Sequence, residues 1–280
     1  MSPTEEDPHG GAPGPDEGAA FDPALEAAAR SLEAGDPELA LTEASRSRAT
    51  GPRALLEVRA YLDLGMLDAA RGRLEAAAGA LGPDDLEVVE LEGEVALESW
   101  DLDGARRAFE AVAEVDLDPW TCERLALLAD HRGEHAEAHR LLEEARRLDP
   151  GRPAPVRVPA ARFDAIVEAA LETLAPPFAE RVRHVRVVRE PVPFRELVDP
   201  REPGATPPDI LGLFVGPTIH DLAEDFPAQL PPSIYLFQRN LERMARDEEH
   251  LAEEIRVTLF HEIGHLLGLD EDGVAELGLA

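Results

Sequence analysis

LFHEIGHLLGLDEDG, residues Leu259 to Gly273, decides how the second half of this chain is read. It places two histidines four apart in a helical stretch, and an i, i+4 pair lies on one helix face, a turn apart. Two imidazoles so placed can both reach one metal ion at about 2.0–2.1 Å. His261 and His265 fit that role. Glu262 stands beside the first ligand and faces the neighbouring water position, where a carboxylate takes a proton; this is the HExxH arrangement of two ligands and a general base on one turn. A catalytic zinc uses three protein ligands and leaves one position open, so the chain must fold back after the helix. Gly268 suits that turn, because glycine readily takes the left-handed conformation that ends a helix. Asp270, Glu271 and Asp272 follow at once, and each is a candidate third ligand. Closed structural zinc sites generally use cysteines and four protein ligands, which disfavours that alternative.

Working back from the motif, Leu241 to Leu267 reads as one helix, with Leu241, Met244, Leu251, Ile255, Leu259 and Ile263 on or near one face. Further upstream ARFDAIVEAALETL has helical periodicity, RVRHVRVVRE alternates as a strand does, and a proline-heavy loop follows. DILGLFVGPTI and PPSIYLFQRN read as two more strands, the second approached through Pro231 and Pro232 as an edge strand is. As an edge, Ser233–Gln238 would hold an extended peptide by strand addition. Residues 160–280 are thus expected to form a mixed α+β domain, preceded by a Pro-rich linker at 151–159, GRPAPVRVP.

Residues 21–150 have a different texture. GDPELALTEAS, GMLDAARGRLEAA, WDLDGARRAFEAV and GEHAEAHRLLEEA align from Gly35, Gly65, Trp100 and Gly133. Their small residues Ala40, Ala70, Ala105 and Ala138 recur at roughly 30 to 35 residues, a helical-repeat period. The large residues Leu74, Phe109 and Leu142 come four later. Small residues let paired antiparallel helices approach closely, and each hairpin leaves an apolar face that only the next can cover. The last unit, GEHAEAHRLLEEARRLDP, resembles the second half of a tetratricopeptide repeat. About four hairpins of this kind form a short solenoid whose concave face suits a protein partner.

Composition narrows the rest. The chain has 280 residues and a formal charge of −31, so phosphate backbones and anionic lipid repel it, and neither nucleic acid nor a membrane surface is an expected partner. Residues 1–20 are acidic and rich in Pro and Gly, and are expected to be disordered; they have neither the basic nor the apolar region of a secretory signal. With no apolar run of membrane-spanning length, a cytoplasmic location is the simplest expectation. Cys122 is the one cysteine and reads as a packed helical residue. All 27 basic residues are arginine, which excludes lysine Schiff-base and P-loop lysine chemistry. His131, His135 and His139 recur at four-residue steps, but Gly133 falls in a turn among them, so they read as exposed polar positions of a repeat. His184 reads as the polar face of a strand or its lead-in, Trp100 and Trp120 as packing between hairpins, and the pairs Glu253-Glu254 and Asp84-Asp85 as solvated surface.

Taken together, FDAIVEAALETLAPPFAERV, LGLFVG, IYLFQRNLER and HEIGHLLGLDEDGVAELG occur in the order seen in the minimal zincin-like metallopeptidases, whose extended motif is HExxHxxGxxD. From about Arg157 to Ala280 the chain resembles that family. The resemblance implies an α+β zincin-like fold joined to the all-α repeats. It also implies Zn²⁺ held by His261, His265 and the last motif acid, with Glu262 as catalyst. That last position is Glu271, where the family pattern has Asp; a Glu is one methylene longer, so either the loop adjusts or Asp270 or Asp272 substitutes. The activity implied is hydrolysis of peptide bonds in a protein or peptide substrate, with the repeats recruiting substrate or partner. Tyr235 and His220 are weak candidates for oxyanion stabilisation. The competing expectation is a non-catalytic scaffold or adaptor, in which the repeats are the function and the zincin-like fold is silent.

Overall fold

The computed structural model describes residues 22–197, 206–217 and 231–269. The first part is a succession of helices: α1 Pro23–Glu33, α2 Pro37–Ala44, α3 Thr50–Asp63, α4 Leu67–Leu81, α5 Leu86–Glu98, α6 Leu102–Val115, α7 Pro119–His131 and α8 His135–Leu148. They pack as the hairpins α1/α2, α3/α4, α5/α6 and α7/α8. Asp22, Asp36, Asp85, Asp101 and Asp118 cap helix N-termini, each carboxylate accepting a backbone N–H of the first turn. Part of the chain's acidity therefore has a local structural use.

The register of small residues explains how the hairpins close. Ala40, Ala70, Ala105 and Ala138 are all buried, as small residues at a close approach of two helices are expected to be. Phe109 is fully buried against Gly93 of α5, where an added Cβ would lie 2.6 Å from the ring. Leu74 is buried, whereas Leu142 is only partly covered and Leu141 takes its place inside. Three of the four hairpin turns carry a left-handed glycine, Gly35, Gly65 and Gly133, at φ 73°, 67° and 75°. In the α5/α6 turn that place is held by Trp100, at φ 60°. A non-glycine residue in that conformation costs roughly 1–2 kcal/mol, so the surrounding contacts must hold it there.

After α8 the chain enters a mixed α+β region: α9 Ala160–Glu172, α10 Pro176–Val182, β1 Arg186–Glu190, a 3₁₀ turn at Arg195–Leu197, β2 Gly212–Val215, β3 Ser233–Phe237, α11 Gln238–Met244 and α12 Glu248–Leu266. Among the described residues the sheet has the order β1-β3-β2, with β3 parallel to β1 and antiparallel to β2. The strand expected at an edge is therefore the central one. Pro231 and Pro232 precede its first paired residue, Ser233, so their missing N–H groups remove no ladder bond. Ile234 and Leu236 turn one face of β3 into a core with Phe163 and Ile166 of α9 and Leu251, Ile255, Leu259 and Ile263 of α12.

The single helix expected over Leu241–Leu267 is two. Ala245 is extended at ψ 135°, and Asp247 starts α12 by accepting the His250 N–H at 2.8 Å. Met244, expected on the apolar face, is exposed as a result.

The two regions meet along a polar seam. Asp130, at the end of α7, is 1% exposed and accepts from Arg157 at 3.0 Å, from Arg243 at 3.1 Å and from His135 at 3.0 Å. Arg157 also donates to the buried Glu242 at 3.0 Å, which Arg239 reaches at 2.7 Å. Burial lowers the Arg243 guanidinium to about 10, against the attraction of Asp130. Buried charges need such pairing, because a lone one bears a desolvation cost of several kcal/mol.

Candidate active site

The site is built on the last two turns of α12. His261 Nε2 and His265 Nε2 approach to 3.0 Å, with their rings at 82°. Two nitrogens held about 2.0–2.1 Å from one tetrahedral ion are roughly 3.3 Å apart, so this convergence fits a shared cation. The helix end fixes one of the rings. Gly268 is left-handed at φ 82°; its N–H donates to His265 O at 2.9 Å and the Leu269 N–H to Gly264 O at 3.1 Å, a Schellman ending. That turn brings the Leu269 carbonyl to 3.2 Å from His265 Nδ1. A carbonyl only accepts, so Nδ1 carries the proton and Nε2 presents its lone pair, the arrangement seen behind metal-bound histidines.

Glu262 points to the sheet. Its Oε2 accepts the Phe214 N–H of β2 at 2.6 Å, and its side chain is largely buried. Gly212 lets β2 come this close: an added Cβ would lie 2.6 Å from Thr258 Cγ2 and 3.1 Å from Glu262 Cγ. β2 is thus seated directly on the helix turn that carries the motif.

Asp270, Glu271, Asp272 and His220 lie outside the described residues. Among the described residues no group of three or more His, Cys, Asp or Glu side chains converges as a metal site. Tyr235 stands on the face of β3 opposite Ile234 and Leu236, with Phe194 and Phe237. It therefore points away from α12 and does not serve the histidine pair.

Other residues singled out in the sequence fall elsewhere. Cys122 is buried, which pushes its thiol up to about 11 and leaves it unreactive. His184 is exposed just ahead of β1, and His139 is exposed on α8. His131 and His135 are not plain exposed positions: His131 Nε2 donates to Pro208 O at 2.9 Å and His135 bonds Asp130. Burial holds the His131 pKa below the ordinary histidine value. Trp120 packs edge-on to Phe109 between hairpins, as expected. Trp100 also packs between hairpins, edge-on to His131 of α7, but its indole N–H leaves them and donates to Thr206 O at 2.8 Å. Sequence periodicity cannot reveal such a contact, although a tryptophan at a repeat's glycine position is the visible irregularity.

The first helices of the hairpins, α1, α3, α5 and α7, line a cleft of about 370 Å³ containing Asp63, Glu90, Glu94, Glu98, Trp120 and Arg124. Burial raises Glu94 and Glu98 to about 7, with Asp209 adding to both.

Residues 182–279 match the family model of the zincin-like metallopeptidases. The C-terminal part of the chain, which carries the HExxH helix and the small mixed sheet, is a zincin-like metallopeptidase domain, and the region before it is helical. No curated protein matches the chain. No helix among the described residues is long and apolar enough to cross a membrane.

Proposed function

We propose that the chain is a cytoplasmic zinc-dependent peptidase whose helical hairpins, at residues 21–150, are tetratricopeptide-like repeats that recruit a protein partner or substrate. The linker 151–159 then joins them to a peptidase domain at 160–280. The observation that carries this reading is the pair of histidine nitrogens 3.0 Å apart, beside a glutamate fixed by a strand N–H. His261 and His265 would hold zinc through Nε2, with Glu271 as the third ligand. A zinc ion so held would supply an acidified water and polarise the scissile carbonyl. The Phe214 N–H orients the Glu262 carboxylate, which would take the water proton and pass it to the leaving amine. The Leu269 carbonyl keeps the His265 ring turned for its role.

The test is metal content by elemental analysis together with hydrolysis of a fluorogenic peptide library. About one zinc per chain is expected, lost in His265→Ala and Glu271→Ala. Glu262→Gln should keep zinc and lose roughly 10²- to 10⁴-fold in rate. A wild type that takes up no zinc when it is supplied, or a Glu262→Gln variant as active as wild type, would sink this reading in favour of a scaffold.

A further inference from the structure

The irregular turn in the third hairpin leads to the site. Trp100 replaces the left-handed glycine of the other turns, and its side chain is spent on the segment that runs into β2. Five side-chain contacts converge on that segment, one of them from Asn240 Nδ2, which shares Pro208 O with His131 at 3.1 Å. Trp100 Nε1 donates to Thr206 O at 2.8 Å, and His131 Nε2 donates to Pro208 O at 2.9 Å. Arg124 Nη1 reaches Asp209 Oδ2 at 3.4 Å, and Asn240 Nδ2 donates to Ile210 O at 2.6 Å. The Trp100 and His131 rings pack edge to face with centroids 5.8 Å apart, and Arg195 Nη1 donates to the Trp100 carbonyl at 3.3 Å. Gly212 of β2 follows two residues after Ile210, and two residues later the Phe214 N–H holds Glu262.

From this placement we infer that Trp100 and His131 of the helical hairpins are positioning residues for Glu262, acting through the segment 206–211 and strand β2. Both lie outside the residues matched by the peptidase family, 182–279. The hairpins are then part of the support of the active site and not only an arm that recruits. β2 has one strand neighbour, β3, among the described residues. Its N-terminal approach is held by carbonyls that accept from Trp100 and His131 of the hairpins, from Asn240 of α11 and, at Leu211, from the Phe237 N–H of β3. Loosening them lets β2 shift along α12, and a displacement of about 1 Å at a catalytic group costs up to 100-fold in rate. The inference rests on the peptidase reading for its catalytic consequence, but not for its structural one.

The test compares Trp100→Phe, His131→Leu and His131→Gln in the full-length, zinc-loaded protein. Trp100→Phe keeps an aromatic ring and removes the N–H. His131→Leu removes the donor, and His131→Gln restores a side-chain N–H at similar reach. In Trp100→Phe and His131→Leu, amide exchange at Phe214 should quicken about tenfold or more, while the amides of α7 and α8 keep wild-type protection. Zinc content should not change, and kcat on the peptide library should fall about tenfold at constant KM. His131→Gln should restore both. Unchanged Phe214 exchange in the first two variants, or a His131→Gln variant as impaired as His131→Leu, would overturn the inference. If the wild type itself hydrolyses no peptide, the peptidase reading fails, and the exchange rates alone decide whether the hairpins hold β2.

Discussion

The helical hairpins and the α+β region are held together in opposite ways. In the hairpins, neighbouring helices in sequence are neighbours in space, and their seams are alanines and apolar side chains in repeating register. In the α+β region, the pieces of one site come from distant parts of the chain: β2 and α12 meet at Glu262, and the segment before β2 is held by Trp100 and His131. The seam between the regions is ionic, centred on Asp130. Repetition builds a stable frame cheaply, whereas a site needs contacts between residues far apart in sequence, and here the frame supplies some of them.

The strongest way to break this comparison is Asp130→Ala. Removing it leaves the partly buried Arg157 and Arg243 without that carboxylate, and breaking a buried pair costs about 3–5 kcal/mol. Urea unfolding should shift to lower concentration as a single transition. Two separate transitions in the wild type would show that the regions do not depend on each other.

A smaller effect is expected inside the frame. Gly93→Ala drives a methyl into Phe109, and overpacking of this kind costs roughly 1–3 kcal/mol. Thermal unfolding should register it while zinc content stays the same. A loss of zinc in this variant would mean that the hairpins and the metal centre are coupled more tightly than the contacts indicate.

The smallest effect is on pH dependence. Glu98 titrates near 7 in the fold because of burial, above its value of about 4.5 in an unfolded chain. The native state therefore binds the extra proton between those values. Its contribution to stability is fully present below about pH 4.5 and is lost as pH rises through 7. Glu98→Gln should raise Tm by roughly 2–4 °C at pH 8 and leave it unchanged near pH 4.5. An equal gain at both pH values would show that Glu98 is not titrating in the cleft.

Much of this was legible because it is local. The alanine register forecast four buried close approaches, and Gly268 forecast the left-handed turn that ends α12. The HExxH spacing forecast the facing imidazoles. What the sequence did not reveal depends on distant partners. Whether Ser233–Phe237 is central or at an edge depends on which strands flank it. The break at Ala245–Asp247 hides in a stretch whose apolar spacing runs on almost undisturbed. Nothing within one repeat says that Trp100 will bond Thr206, more than 100 residues later. The choice among Asp270, Glu271 and Asp272 falls outside the described residues.

The same turn has an optical consequence. The chain has two tryptophans. Trp120 is packed within the hairpins under the Arg124 guanidinium, and Trp100 is at the seam with its indole N–H on a loop carbonyl. With Trp120 replaced by phenylalanine, all remaining tryptophan emission comes from the joint between the two regions. A red shift on adding urea, a peptide or a chelator then reports water reaching that joint, so the protein carries its own fluorescent gauge of whether the frame still grips the site.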